Sequence, residues 1–223
     1  MKKLMIAIFA HPDDEAFGPS GTLMKLRDDG YDVHLILLTD GEAGSNPDNE
    51  ANLGETRLRE WQAAATIMGV TSTHALHLPD GELEHIPQTN LVETVHRTVN
   101  DIRGRYQTPC DDTYMTFESL GLTGHRDHII ASRLTQTIAK QDKGVSVWYF
   151  CLDQTQAPLS GTAYYEPRAR EDSYITDHID VHQYLADKYR VIDAHQSQRV
   201  DGANLKALGT ERLAIECFRI ETY

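Results

Sequence analysis

The 223-residue chain has few cysteines, a deficit of positive charge and no long apolar run. Its three cysteines, Cys110, Cys151 and Cys217, are isolated, so they form neither a C-x-x-C metal motif nor an even disulfide framework. We expect them to be reduced, small core residues. Lysine and arginine total 21 against 34 aspartates and glutamates. The resulting net charge of −13 argues against a nucleic-acid partner.

No segment is long enough to span a bilayer. Met1-Lys2-Lys3 precedes an apolar run, but an acidic cluster follows where a signal peptide would carry its small-residue cleavage site. The sequence therefore predicts a cytoplasmic protein without stable membrane insertion. A homo-oligomer is compatible with this composition, which does not define the oligomeric state.

Short apolar runs alternate with amphipathic segments along the chain. Strands are predicted at 4–10, 33–39, 74–78, 113–117 and 144–151, and helices at 22–30, 55–68, 89–103 and 125–141. These repeated units predict an α/β fold, a Rossmann-like, doubly wound, mostly parallel sheet with helices on both faces. The tail is less regular, with a substrate-side loop at 154–172, a helix at 181–194 and a strand at 213–220. No linker or repeat divides the chain, so residues 1–223 are predicted to form a single domain.

Acidic and imidazole side chains concentrate at the ends of two predicted strands. His11, Asp13, Asp14 and Glu15 follow the first strand, and His125-Arg126-Asp127-His128 follows the fourth. In a Rossmann-like strand order these strands are neighbours, and ligands bind outside their carboxyl ends. Imidazoles and carboxylates without thiolates predict a metal site suited to zinc, with iron(II) or manganese as alternatives.

Two motifs give the chain a family resemblance. Ala-His-Pro-Asp-Asp-Glu at 10–15 and Gly-His-Arg-Asp-His at 124–128 resemble the signatures of the LmbE-like, or PIG-L, family. Members of this family are zinc-dependent de-N-acetylases of N-acetylglucosamine-containing compounds. The resemblance covers nearly the whole chain, with supporting stretches at 39–42, 57–60, 68–70, 78–81 and 194–198. One departure is visible, because the second motif commonly has proline where this chain has Arg126.

The resemblance implies roles for the residues of both motifs. The implied metal ligands are His11, Asp14 and His128. Asp13 would be the general base that takes a proton from the attacking water. His125, oriented by Asp127, would stabilise the tetrahedral intermediate and protonate the leaving amine.

Three further residues are candidate substrate contacts, and each has a simpler interpretation. Arg57 could reach the substrate, but a pair with Glu60 on its own helix is the interpretation that the sequence favours. Asp80 could contact sugar hydroxyls or form a turn. Arg126 could bind an anionic group, although we prefer a surface role at the start of a helix.

We therefore expect a metal-dependent hydrolase that removes an N-acetyl group from a small N-acetylglucosamine-type conjugate. Two alternatives stay open, an amidase acting on another amide such as a thiol conjugate, and a noncatalytic sugar- or nucleotide-binding module. The module is disfavoured because no G-x-G-x-x-G follows the first strand and no P-loop motif occurs. The sequence does not identify the rest of the substrate, and we expect the stretch 154–180 to determine that specificity.

Overall fold

The structure, a computed structural model that describes residues 1–157 and 166–223, is built on a mostly parallel sheet. Its strands are β1 (Lys2–Phe9), β2 (Asp32–Thr39), β3 (Ser72–Leu78), β4 (Cys110–Phe117), β5 (Ser146–Cys151), β6 (Asp177–Asp180) and β7 (Ile215–Thr222). They are arranged in the order β3-β2-β1-β4-β5-β7-β6. Strands β1 to β5 pair in parallel, whereas β7 is antiparallel to both β5 and β6.

Helices cover the sheet in two groups. They are α1 (Asp14–Phe17), α2 (Ser20–Asp28), α3 (Leu53–Met68), α4 (Gln88–Arg103), α5 (Gly121–Gly124), α6 (Arg126–Asp142), α7 (Leu185–Ala194), α8 (Arg199–Lys206) and α9 (Thr210–Leu213). Helices α2, α3 and α7 pack against one another, whereas α4 packs against α6. Within the described residues, no helix has the length and apolar character needed to cross a membrane.

The interior strand β1 explains why two helical layers are needed. Every side chain from Leu4 to Ala10 is at most 2% exposed. Side chains of a strand point alternately to opposite faces, so burial of the whole run requires cover on both sides of the sheet. Helix α4 supplies part of that cover through a helical stripe, in which Leu91, Val95, Val99 and Ile102 are buried. The predicted α/β architecture is confirmed.

The strand order reverses between β1 and β4. β1 pairs with β2 on one side and with β4 on the other, so the chain winds outwards in both directions from this pair. The carboxyl ends of β1 and β4 therefore border the crevice where ligands bind in this class of fold. The first motif follows β1 and the second follows β4, so the predicted neighbourhood of the two motifs is confirmed.

The tail differs from the sequence prediction in its details. The predicted final strand is present as β7, but its antiparallel partner β6 was not predicted, because four residues with the polar sequence Asp-His-Ile-Asp carry little strand signal. Helix α8 was also not predicted. The helix expected at 181–194 begins at Leu185, after a 3-10 turn over His182–Tyr184. The predicted loop at 154–172 includes residues 158–165, which lie outside the described residues.

The cysteines are unpaired, as expected. Cys151 and Cys217 are fully buried, whereas Cys110 is only half-buried at the beginning of β4. The interpretation as small core residues therefore holds for two of the three.

A buried ion pair joins the tail of the chain to its amino-terminal half. Lys188 on α7 donates to Glu216 on β7 and to the carbonyl of Gly18 at 2.9 Å. The carboxylate of Glu216 also accepts from the backbone nitrogens of Gly21 and Thr22, at 3.0 and 2.7 Å. Both ionic side chains are at most 3% exposed. Removing one partner would leave the other buried without its counter-charge.

We predict that Lys188→Met lowers the free energy of unfolding by about 3–5 kcal/mol, because Glu216 would keep a buried, uncompensated charge. The matched control is Lys25→Met, since Lys25 pairs with Asp29 at 2.6 Å in an exposed position. The control should cost no more than about 1 kcal/mol. Urea unfolding of both variants measures the difference, and equal losses would contradict a structural role for the buried pair.

Candidate active site

The first motif forms a tight turn at the end of β1. Asp14 begins α1, and its Oδ2 accepts hydrogen bonds from the backbone nitrogens of Ala10 at 3.0 Å and His11 at 2.7 Å. These bonds leave Oδ1 of the same carboxylate directed towards His128, whose Nε2 lies 3.2 Å away. Burial opposes ionisation of Asp14, but His128 and His11 beside it hold the pKa of its carboxyl well below the usual range. Asp14 is therefore a fixed carboxylate.

The second motif reaches the same point from β4. His125 caps α6, and His128 lies in the first turn of that helix. The ring of His128 stacks on Phe117, the last residue of β4, with centroids 4.0 Å apart. Its Nε2 lies 3.1 Å from Nδ1 of His11, so residues 117 positions apart in sequence are in direct contact.

The hydrogen bonds of the two imidazoles define which nitrogens are available to a metal. His128 Nδ1 lies 3.2 Å from the carbonyl oxygen of Gly121, to which only a protonated nitrogen can donate. His11 Nε2 lies 3.1 Å from Asp80 Oδ1 and 3.4 Å from Asp127 Oδ2, which likewise require a donor. In the neutral tautomers, the lone pairs of His11 Nδ1 and His128 Nε2 therefore face each other and the carboxylate of Asp14.

The spacing of these donor atoms fits a tetrahedral metal ion. Ligands bound to zinc at about 2.0–2.1 Å are separated by about 3.3 Å in tetrahedral geometry. Here His128 Nε2 lies 3.1 Å from His11 Nδ1 and 3.2 Å from Asp14 Oδ1. The closest approach of His11 Nδ1 to this carboxylate, 3.7 Å, is to its other oxygen, Oδ2. The donor types and the two short separations fit a zinc-class ion bound by two nitrogens and one oxygen. The imidazoles of His11, His125 and His128, each with one nitrogen within 4.8 Å of the others, are a second possible ligand set.

The electrostatics of the pocket also favour a cation. Burial by itself would lower the pKa of His11, but Asp127, Asp80 and Asp14 outweigh it and raise that pKa to about 10. A site that stabilises a proton on a buried imidazole so strongly carries a negative potential, which a divalent ion would neutralise.

His125 lies beside the three candidate ligands His11, Asp14 and His128, which together form a donor triangle. Its hydrogen-bond pattern differs from theirs. Its ring centroid is 4.6 Å from that of His11 and 4.7 Å from that of His128, so its nitrogens also lie within reach of a shared ion. However, His125 Nδ1 accepts from the backbone nitrogen of Asp127 at 3.2 Å, which leaves the proton of the neutral ring on Nε2. Burial, together with His128 and His11, lowers the pKa of His125 to about 4. Its geometry is that of a neutral hydrogen-bond donor.

Asp127 differs from the sequence expectation in what it orients. Its carboxylate, which was expected to orient His125, instead accepts from the backbone nitrogen of Gly81 at 2.8 Å and lies against His11. Asp127 contacts His125 through its backbone N–H. The carboxylate thus holds a candidate metal ligand, and the backbone holds the neighbouring imidazole.

Asp13 is held next to the triangle by Arg57. Asp13 Oδ2 accepts from Arg57 Nη2 at 3.0 Å, and the guanidinium also donates to the carbonyls of Pro12 at 2.8 Å and Gly41 at 2.7 Å. A side chain at position 41 would collide with this guanidinium, since a Cβ there would lie 2.5 Å from Nη1. Burial raises the pKa of Asp13 to about 6, against the opposing effect of Arg57. This carboxylate has an intermediate proton affinity, as a general base requires.

The three candidate substrate contacts occupy different environments. Arg57 is 4% exposed and bonds to Asp13, so the expected surface pair with Glu60 is not formed. Glu60 instead accepts from Ser197. Asp80 uses Oδ1 on His11 and accepts from the backbone nitrogen of Ala43 through Oδ2 at 2.9 Å. The remaining candidate, Arg126, is 73% exposed and pairs with Glu84, which agrees with the preferred surface interpretation.

Glu118 is a supporting residue that the sequence prediction did not identify. It follows β4, is fully buried, and accepts from the backbone nitrogens of Leu120 and Leu122, both at 2.9 Å. Arg170 pairs with it from the tail of the chain. These bonds shape the loop whose Gly121 carbonyl orients His128. The sequence did offer a signal for Glu118, because it directly follows β4 and functional residues of this fold lie at the carboxyl ends of the strands.

The fold and the site define a Rossmann-like α/β protein with a candidate metal centre at the carboxyl ends of β1 and β4. A family model described as PIG-L, GlcNAc-PI de-N-acetylase, matches residues 6–139. The chain belongs to this family, which confirms the resemblance of the two motifs.

Individual relatives agree with this placement. A diacetylchitobiose deacetylase of Thermococcus kodakarensis is 44% identical over 86 residues, which are 37% of this chain and 32% of that protein. A 1D-myo-inositol 2-acetamido-2-deoxy-alpha-D-glucopyranoside deacetylase of Saccharomonospora viridis is 23% identical over 92% of this chain and 88% of that protein. Among solved structures, a 4-carboxy-2-hydroxymuconate hydratase of Pseudomonas putida superposes with a TM-score of 0.73. It is 17% identical over 100% of this chain and 97% of that one, which shows a shared fold alone.

We predict that Asp14→Asn and His128→Ala each weaken zinc binding by at least about tenfold. Loss of a residue that only hydrogen-bonds to a metal ligand typically costs that much, and these two substitutions alter a ligand itself. His125→Ala should retain the metal, because His125 is assigned as a donor. Metal content after equilibrium dialysis measures this, with the exposed Arg126→Ala as control. Loss of metal in His125→Ala with retention in Asp14→Asn would favour a triangle of His11, His125 and His128 instead.

Proposed function

We propose that this protein is a metal-dependent hydrolase that removes the acetyl group from a small N-acetylglucosamine-type amino sugar conjugate. The observation that carries the proposal is the convergence of His11, Asp14 and His128, with Asp13 on one side and His125 beside them. The family supports the reaction class, because the deacetylases similar to this chain are named for N-acetylated amino sugars. A noncatalytic binding module would not require this combination of groups.

His11, Asp14 and His128 are the residues that would hold the ion, and their two nitrogens and one oxygen suit zinc or iron(II). Bound there, the ion would lower the pKa of water and polarise the amide carbonyl. Asp80 and Asp127 keep the proton of His11 on Nε2, so that Nδ1 stays available. Gly121 does the same for His128.

Asp13 is the proposed general base. Its Oδ2 is bound by Arg57, which fixes the carboxylate beside the metal ligands and leaves Oδ1 for the attacking water. Once protonated, the same carboxyl group can deliver the proton to the leaving amine. This assignment differs from the resemblance, which gave that step to His125. Burial, together with His128 and His11, lowers the pKa of His125 to about 4, which favours a neutral ring that donates a hydrogen bond.

His125 is the proposed donor to the amide oxygen. With Nδ1 occupied by the backbone of Asp127, its Nε2–H is the group that can hydrogen-bond to the oxygen as negative charge develops on it. Removal of one such donor typically lowers the rate by about 10²–10³-fold. Arg57 and Asp80 are proposed as positioning residues. Arg126 pairs with Glu84 on the surface, and its contact with an anionic part of the substrate stays the less favoured prediction.

We predict that the Asp13→Asn variant keeps its metal and loses about 10²–10⁴-fold in kcat. The side-chain amide of asparagine cannot accept the proton from the attacking water, as the carboxylate of Asp13 can. Acetate and free-amine release are measured on a panel of N-acetylglucosaminides and on thiol-conjugate amides, with a chelator control. Asp187→Asn is the matched control, since Asp187 is 48% exposed and pairs with Arg190.

The outcomes separate the alternatives. Turnover close to wild type in Asp13→Asn would rule out this residue as the base. Cleavage of thiol-conjugate amides without acetate release from sugars would favour the amidase. Binding of the sugars without hydrolysis by the zinc- or iron(II)-loaded protein would favour the binding module.

A further inference from the structure

A second group of metal-ligating side chains lies at the antiparallel edge of the sheet. Cys217 on β7 is directly opposite His178 on β6, and Asp153 follows the end of β5. Residues in register on adjacent strands present their side chains on the same face. One donor atom from each of Asp153, His178 and Cys217 lies within 4.8 Å of the other two. None of these residues belongs to the site at β1 and β4.

The carboxylate of Asp153 is held in one orientation. Its Oδ1 accepts from the backbone nitrogen and the hydroxyl of Thr155, at 2.8 and 2.7 Å, and from the backbone nitrogen of Gln156 at 3.0 Å. The other oxygen, Oδ2, therefore faces Cys217 and lies 3.8 Å from its sulfur. A turn that binds one oxygen so completely presents the second oxygen at a fixed place.

Gln156 fixes this turn to the beginning of β7. The side-chain amide of Gln156 is almost fully buried and donates to the carbonyls of Arg212 at 3.0 Å and Ile215 at 2.6 Å. Asp153 and Cys217 are thus held at the same part of the sheet edge. His178 is exposed, whereas Cys217 is buried, so an ion could enter from the solvent side and reach the sulfur.

We propose that Asp153, His178 and Cys217 bind a second metal ion, of the zinc class. A thiolate, an imidazole and a carboxylate are a ligand set that zinc accepts and that hard cations such as magnesium do not. Sulfur and oxygen ligands of a tetrahedral zinc ion lie about 3.5 Å apart, close to the separation seen here. Binding releases the thiol proton of Cys217 to the solvent. The ion connects the short strand β6 to β7 and to the end of β5.

Cobalt(II) distinguishes this site from the one at β1 and β4, because only this site contains sulfur. The full-length protein is titrated with cobalt(II), and the near-ultraviolet sulfur-to-cobalt charge-transfer absorption is recorded. The wild type is expected to develop this absorption within two equivalents of cobalt(II) per chain, because the site at β1 and β4 also binds the ion. His128→Ala should retain it, because that variant alters only the other site.

Two variants test the assigned ligands. Cys217→Ser should abolish the absorption. His178→Ala should weaken cobalt binding at this site by at least about tenfold, since loss of a residue that only hydrogen-bonds to a metal ligand already costs about that much. Cys151→Ser is the matched control, since Cys151 is also buried and lies directly opposite Cys217 on β5. It should retain the absorption.

Three results would overturn the proposal. The first is that the wild type shows no sulfur-to-cobalt absorption. The second is that either Cys217→Ser or His178→Ala leaves the absorption and the cobalt affinity unchanged. The third is that the absorption is lost in Cys151→Ser alone. Because His178 is exposed, its replacement should leave the fold intact and decides the outcome even if Cys217→Ser is unstable.

Discussion

Two imidazole nitrogens and the carboxylate of Asp14 meet where β1 and β4 end, with closest separations of 3.1–3.7 Å. Their lone pairs and negative charge would repel one another unless a positive charge lies between them. The pocket raises the pKa of His11 to about 10, which shows how strongly it favours such a charge despite burial. The loops around this point are arranged to maintain that concentration of donors.

Backbone groups from several strand ends maintain the arrangement. The Gly121 carbonyl holds His128, the Gly81 nitrogen holds Asp127, and the carbonyls of Pro12 and Gly41 hold Arg57. Backbone groups cannot change rotamer, so they orient side chains at little cost in conformational entropy. Burial of the site also strengthens each of these electrostatic contacts relative to water. The precision of the site therefore comes from the loops that follow the parallel strands.

The motifs located the donors but not all of their partners. Arg57 illustrates the limit, because helical spacing favoured a pair with Glu60 and gave no indication of Asp13, which lies in another loop. Asp127 illustrates it again, since its place beside His125 in sequence gave no indication that its carboxylate also accepts from Gly81 and lies against His11. Local spacing reports neighbours on the same element, whereas these contacts depend on how separate loops meet.

The sequence by itself determined the alternation of strands and helices, because burial on two faces or on one stripe imposes the periodicity of the apolar residues. It also determined the donor types at the ends of β1 and β4, and through them the family. Only the tertiary structure decided the partner of Arg57, the tautomers of the two imidazoles and the antiparallel edge that joins Asp153, His178 and Cys217. Those features join residues far apart in the chain, and their free energy comes from burial and charge in the assembled fold, which no local pattern encodes.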